Sequence, residues 1–158
     1  MSSDGIEILL VDDSSADVEL TLYALRQNAM VNRIHVTRDG EEALNFLFCR
    51  EPFQERASEP LPRLILLDLK MPKVDGLSVL RTLKEDPRTR GIPVIILTSS
   101  KEEKDVVKSY DLGVNSYIQK PVDFDQFRET VRTLGLYWLL VNQALPRQTL
   151  DTGAARIE

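Results

Sequence analysis

A chain of 158 residues, 42% hydrophobic and 28% charged, has the length and balance of one globular domain with a short appendage. Its formal net charge of −5, without any Lys/Arg block, excludes the basic footprint that nucleic-acid binding needs. The single cysteine, Cys49, excludes an intrachain disulfide; with no signal-peptide character at Met1–Gly5 and no apolar run near the roughly 18 residues of a membrane span, a cytoplasmic location is expected.

Two periodicities alternate along the chain. Ile6–Val11 is an apolar run that predicts a first buried strand. A helix follows it: Ser14 with Asp17 three residues on is a capping-box pattern, and Val18, Leu22 and Leu25 recur at helical spacing. Arg33–Val36 predicts the second strand and Glu41–Arg50 the second helix, with Cys49 on its face. Glu51–Pro62, rich in proline and glutamate, is expected to be a loop. Leu64–Leu67 predicts the third strand and Gly76–Glu85 the third helix, stopped by Asp86-Pro87. Val94–Leu97 predicts the fourth strand, and Ser99 and Ser100, each with a glutamate three residues later, announce a helix over Glu102–Leu112. Ser116–Ile118 and Phe124–Asn142 complete the series as strand and final helix. Residues 146–158 carry almost no core-forming pattern and are expected to be a disordered tail after a single domain at 1–145. Strands that are apolar throughout, alternating with amphipathic helices, predict an α/β fold: a doubly wound, five-stranded parallel sheet with helices on both faces.

In an open α/β sheet, ligands bind beyond the carboxyl ends of the strands. Asp12-Asp13 follow the first run, Asp68 the third, Thr98 the fourth, and Lys120-Pro121 the fifth; Thr37-Arg38-Asp39 follow the second and receive no role. Three carboxylates, a hydroxyl and an ammonium thus converge on one rim. Clustered carboxylates repel one another unless a cation enters. Mg²⁺ is a hard cation that accepts such acids and shares its remaining positions with phosphate oxygens. A carboxylate nucleophile can then form an aspartyl phosphate, with the lysine as a point charge on phosphoryl oxygens. A Mg²⁺-dependent aspartyl-nucleophile phosphohydrolase is the enzymatic alternative, but it would want a second aspartate at position 70, where Lys70 stands. The expectation is therefore a switch and not an enzyme. His35, the only histidine, reads as structural, which argues against a histidine phosphotransfer role for this chain.

Four blocks carry a family resemblance: Leu9–Asp13, Leu66–Gly76, Ile96–Ser99 and Tyr117–Pro121. In order and at strand ends, they resemble the signature blocks of bacterial response-regulator receiver domains, over roughly Ile6 to Leu134. Within that family the chain is similar to single-domain regulators of bacterial phytochrome histidine kinases, on the long loop before Asp68, the phrase Lys120–Phe127 and the aromatic final helix. The resemblance implies a flavodoxin-like receiver fold and phosphorylation of Asp68 by a histidine kinase. It implies Mg²⁺ held by Asp12, Asp13, Asp68 and the backbone carbonyl of Lys70, with Thr98 and Lys120 on the phosphoryl group. Thr98 and Tyr117 would form the switch, and the Lys120-Pro121 bond would be cis. Position 70 often carries a neutral side chain in the family, so Lys70 would add a cation beside the phosphoryl group and bear on its lifetime. Effector and phosphorelay intermediate both stay open, as does the downstream protein.

The final helix has a further implication. Phe124, Phe127, Val131 and Leu134 recur at a spacing that fills one face against the sheet, while Leu136–Val141 is apolar at every position and would point all round a helix. A homodimer is therefore expected, with Tyr137, Trp138 and Leu139 at its interface.

Overall fold

The structure is a computed structural model describing residues 7–26, 33–71 and 74–136. Five strands form one parallel sheet: β1 (Ile8–Val11), β2 (Ile34–Thr37), β3 (Leu64–Asp68), β4 (Val94–Thr98) and β5 (Ser116–Gln119). Their order is β2-β1-β3-β4-β5, as the doubly wound expectation requires. Every residue of β1, β3 and β4 is buried, because helices cover both faces, whereas the edge strands β2 and β5 are only partly so.

The period of two along each strand sorts its side chains into two cores. Ile8, Leu10, Leu64 and Leu66 face α1 (Ser15–Leu25) and α5 (Phe124–Thr133), where Val18, Leu25, Phe127 and Val131 pack. Leu9, Val11, Ile65 and Leu67 face α2 (Gly40–Leu47), α3 (Gly76–Glu85) and α4 (Lys101–Ser109), meeting Phe46, Leu80 and Val107. Each helix begins at a side-chain cap: Ser14, Asp39, Asp75, Ser100 and Asp123 all accept a backbone N–H from three residues on. Such a cap contributes about 1 kcal/mol.

Four of the strands end one residue later than the apolar runs, taking in Thr37, Asp68, Thr98 and Gln119, while β1 ends at Val11 as expected. Three helices end earlier than expected, two of them for one physical reason. At α5, the Leu136 N–H donates to the Val131 carbonyl and the Gly135 N–H to that of Arg132, both at 3.0 Å, with Gly135 at φ 76°. This is a Schellman motif, with its hydrophobic contact supplied by Leu134 and Leu136 packed on the α1/α5 core. The helix expected over Phe124–Asn142 therefore stops at Thr133. Tyr137, Trp138 and Leu139, like 146–158, lie outside the described residues. At α2, Arg50 and Cys49 make the same pair of bonds to Asn45 and Phe46, with Cys49 at φ 57°. Cys49 is thus a helix-terminating residue and not one on the helix face. The fourth helix likewise closes at Ser109, short of Leu112.

The segment Glu51–Pro62 is not all loop. Gln54–Ser58 forms a 3-10 turn that buries Arg56, whose Nη1 donates to the Phe46 carbonyl and whose guanidinium lies 3.6 Å from the centroid of the Phe46 ring. Among the described residues no helix is long and apolar enough to cross a membrane.

Candidate functional site at the carboxyl edge of the sheet

The strand order reverses between β1 and β3, and the sequence-predicted residues gather beyond that switch point. Asp12 follows β1 and is fully buried; Asp68 ends β3 and Thr98 ends β4, at 3% and 1% exposure. Asp13 is exposed. Carboxylate oxygens of Asp12, Asp13 and Asp68 lie within 4.8 Å of one another. Lys120, immediately after β5, reaches across the sheet: its Nζ is 2.9 Å from Asp12 Oδ2, 2.9 Å from Asp17 Oδ2 and 3.3 Å from Asp68 Oδ1. The Lys120 N–H donates to the Thr98 carbonyl at 2.8 Å, tying the lysine's backbone to the end of β4, and the Lys120-Pro121 peptide is cis. Gly76 completes the frame. A Cβ there would stand 2.5 Å from the Asp68 carbonyl oxygen, so only glycine lets the start of α3 approach the end of β3 this closely.

The electrostatics follow from this crowding. Burial, then the charge of Asp12, raises the Asp68 pKa to about 6 against the opposing pull of Lys120. Burial works against the charged form of Lys120, but its close contacts with the carboxylates of Asp12 and Asp17 and the charge of Asp68 outweigh that, and its pKa stands above the ordinary lysine value. One ammonium thus answers several carboxylates. Asp12 Oδ1 accepts the Ser14 N–H at 3.0 Å, while Asp12 Oδ2 is buried and accepts no aligned hydrogen bond. A buried carboxylate oxygen whose one close partner is the Lys120 ammonium, beside two more acids, belongs to the donor set a hard divalent cation takes. The residues fit such an ion.

Lys70, two residues after Asp68, sends its side chain toward α4. Its side chain is 77% exposed and sits 3.7 Å from Glu103 of α4, so its charge is paired there. Its backbone N–H donates to the Asp68 carboxylate. Thr98 and Tyr117 line one cleft of about 270 Å³ together with Ser100, Lys101, Lys104 and Gln126. Tyr117 packs against the α2–α4 core with Lys104 Nζ 5.5 Å from its ring centroid, and burial raises its phenol pKa. Two members escaped the sequence reading. Asp17 entered it only as a capping residue, although its place one helical turn after an acid pair is a usable signal. Glu103 likewise registered as a cap, yet it accepts the Ser99 N–H at 2.7 Å and faces Lys70.

A 2-1-3-4-5 parallel sheet with an acid cluster, a hydroxyl and a lysine on its carboxyl rim defines a phosphoacceptor module. The chain belongs to the response regulator receiver domain family, whose model matches residues 8–132. It is 39% identical over 132 residues to response regulator Rcp1 of Synechocystis, covering 84% of this chain and 88% of that protein. It is also 39% identical over 143 residues to the probable methanogenesis regulatory protein FilR2 of Methanothrix harundinacea, covering 90% of each. Among solved structures, the bacteriophytochrome response regulator AtBRR is 46% identical with a TM-score of 0.81, over 92% of this chain and 99% of that one. The phosphorylated cyanobacterial phytochrome response regulator RcpA is 39% identical with a TM-score of 0.68, over 90% of this chain and 99% of that one. The Mn²⁺-bound form of Rcp1 is 36% identical with a TM-score of 0.67, over 92% of this chain and 99% of that one. The protein is a phosphoacceptor switch of two-component signalling with the flavodoxin-like receiver fold, and its kinase partner is a histidine kinase.

Proposed function

We propose that Asp68 accepts the phosphoryl group from the phosphohistidine of a bacterial-phytochrome-type histidine kinase. The observation that carries this reading is the rim itself: a carboxylate 3% exposed, with an ammonium at 3.3 Å and two further acids within 4.8 Å. In the transfer an Asp68 oxygen bonds to phosphorus while the P–N bond breaks, its electron pair staying on the imidazole nitrogen. Asp12, Asp13, Asp68 and the Lys70 carbonyl would hold Mg²⁺, which supplies charge neutralisation for two anions brought together. Lys120 places a fixed positive charge against phosphoryl oxygens, and the Thr98 hydroxyl donates to another.

The output runs through the cleft shared by Thr98 and Tyr117. A hydroxyl drawn toward the phosphoryl group changes the packing of that cleft and shifts a two-state balance by its differential interaction with each state. The result is read by protein contacts in the cytoplasm, without nucleic-acid binding or turnover of a substrate. The apolar run with Tyr137, Trp138 and Leu139 supports pairing into a homodimer, and the core-forming pattern supports a domain over 1–145. Incubation with autophosphorylated bacterial phytochrome kinases tests the reading: label should move to the wild-type protein and not to Asp68→Asn. Transfer to Asp68→Asn at the wild-type rate would refute the assignment.

A further inference from the structure

Lys120 makes one contact that the transfer scheme leaves unused. An ammonium has three N–H donors, and here three carboxylates surround it. Two of them, Asp12 and Asp68, belong to the acid cluster; Asp17 does not. The contacts also differ in quality. Lys120 Nζ donates a 2.9 Å hydrogen bond to Asp17 Oδ2, whereas Asp12 Oδ2 accepts no aligned bond.

Asp17 is itself well held. It is the third residue of α1, its N–H donates to Ser14 Oγ at 3.2 Å, and an acid in the first turn of a helix faces the positive end of the helix dipole. The Ser14 N–H donates in turn to Asp12 Oδ1, so one hydrogen-bonded path links Asp12, Ser14, Asp17 and Lys120. Lysine's charge sits on a flexible four-carbon stem, so a partner anchored in a helix decides where that charge stays.

We propose that Asp17 is a positioning residue for phosphoryl transfer, holding the Lys120 ammonium over Asp68 when Asp12 and Asp68 turn to the cation and the phosphoryl group. This rests on the roles proposed above for Asp68 and Lys120. Asp17 touches no reacting atom and acts through Lys120, so its influence disappears when Lys120 is removed.

A double-mutant cycle on the full chain tests this, with phosphoramidate as donor and Mg²⁺ present. Asp17→Asn should lower the maximal labelling rate about fivefold, the size of a half-exposed ion-pair coupling, with the half-saturating donor concentration unchanged. In a Lys120→Ala background the same change should alter the rate less than about 1.5-fold. Asp17→Glu, which keeps the charge, should retain at least about half the wild-type rate. In the metal-free protein, wild type should show a protected Lys120 ammonium proton signal by NMR that is lost in Asp17→Asn. An unchanged rate in Asp17→Asn, a fivefold loss persisting without Lys120, or a surviving ammonium signal each overturns the positioning role while leaving Asp68 as acceptor. Wild type that fails to label, or Asp68→Asn that labels equally, overturns the acceptor reading and this inference with it.

Discussion

Replacing Gly76 by alanine tests how the fold positions the site. The new Cβ would stand 2.5 Å from the Asp68 carbonyl oxygen and 2.6 Å from Leu69 Cα, both backbone atoms that no rotamer change can move. Against this, alanine in a helix gains up to about 1 kcal/mol of propensity and lower unfolded-state entropy. Overpacking against fixed atoms costs about 1–3 kcal/mol, more where backbone must shift, and here it must. The contact therefore wins, with a net loss of about 2 kcal/mol that corresponds to roughly 4–8 °C in Tm for a domain of this size. Because the displaced atoms belong to Asp68 and Leu69, labelling at Asp68 should slow as well. Gly91, where an added Cβ meets nothing within 4 Å, is the control, and Gly91→Ala should stay within about 0.5 kcal/mol of wild type in urea melts. A Gly76→Ala protein as stable as Gly91→Ala would refute the argument that this close approach requires glycine.

Three further outcomes follow from the same geometry. Phe127, fully buried between α5 and the sheet, should cost about 3–5 kcal/mol as Phe127→Ala in urea unfolding. Gly135→Ala should cost about 1 kcal/mol from the left-handed backbone alone, since nothing lies within 4 Å of the added carbon at φ 76°. His35, stacked on Phe46 at 4.1 Å, has its pKa lowered first by burial and then by Arg56, against the pull of Glu42. The unfolded chain therefore binds this proton more readily, so His35 contributes stability above about pH 6.5 that is lost as pH falls toward its lower folded value. The difference between wild-type and His35→Phe unfolding free energies should change across that window, and parallel curves would contradict it.

Most of the rim was readable because a rule of α/β sheets turns strand ends into addresses: once five apolar runs were recognised, Asp12, Asp68, Thr98 and Lys120 followed without knowledge of any contact. The capping serines and aspartates were equally readable, since the cap and its N–H partner are neighbours in sequence. What escaped depended on distance or on backbone sign. The Asp17–Lys120 bond joins residues 103 apart, and nothing local announces it. Arg56 is buried by a cation–aromatic stack in a segment whose charge reads as solvent-facing. The helix past Thr133 was overextended because Leu134 and Leu136 continue the apolar pattern, although their burial comes through a Schellman turn at Gly135 and not through helix. Cys49 shows the same turn without a glycine, where composition carries no warning. The Lys70–Glu103 contact joins the end of β3 to α4, and nothing local in the sequence announces it either.

The central claim is that Asp68 carries the phosphoryl group in a site that needs a divalent cation. Mass spectrometry of the protein after incubation with phosphoramidate tests it most directly, with and without Mg²⁺ and with Asp68→Asn alongside. One added phosphoryl group should map to the peptide containing Asp68, be released by mild alkali, and fall at least about a hundredfold in rate when Mg²⁺ is chelated. A phosphoryl group mapped to another residue, or one gained equally fast by Asp68→Asn or without Mg²⁺, would contradict the account.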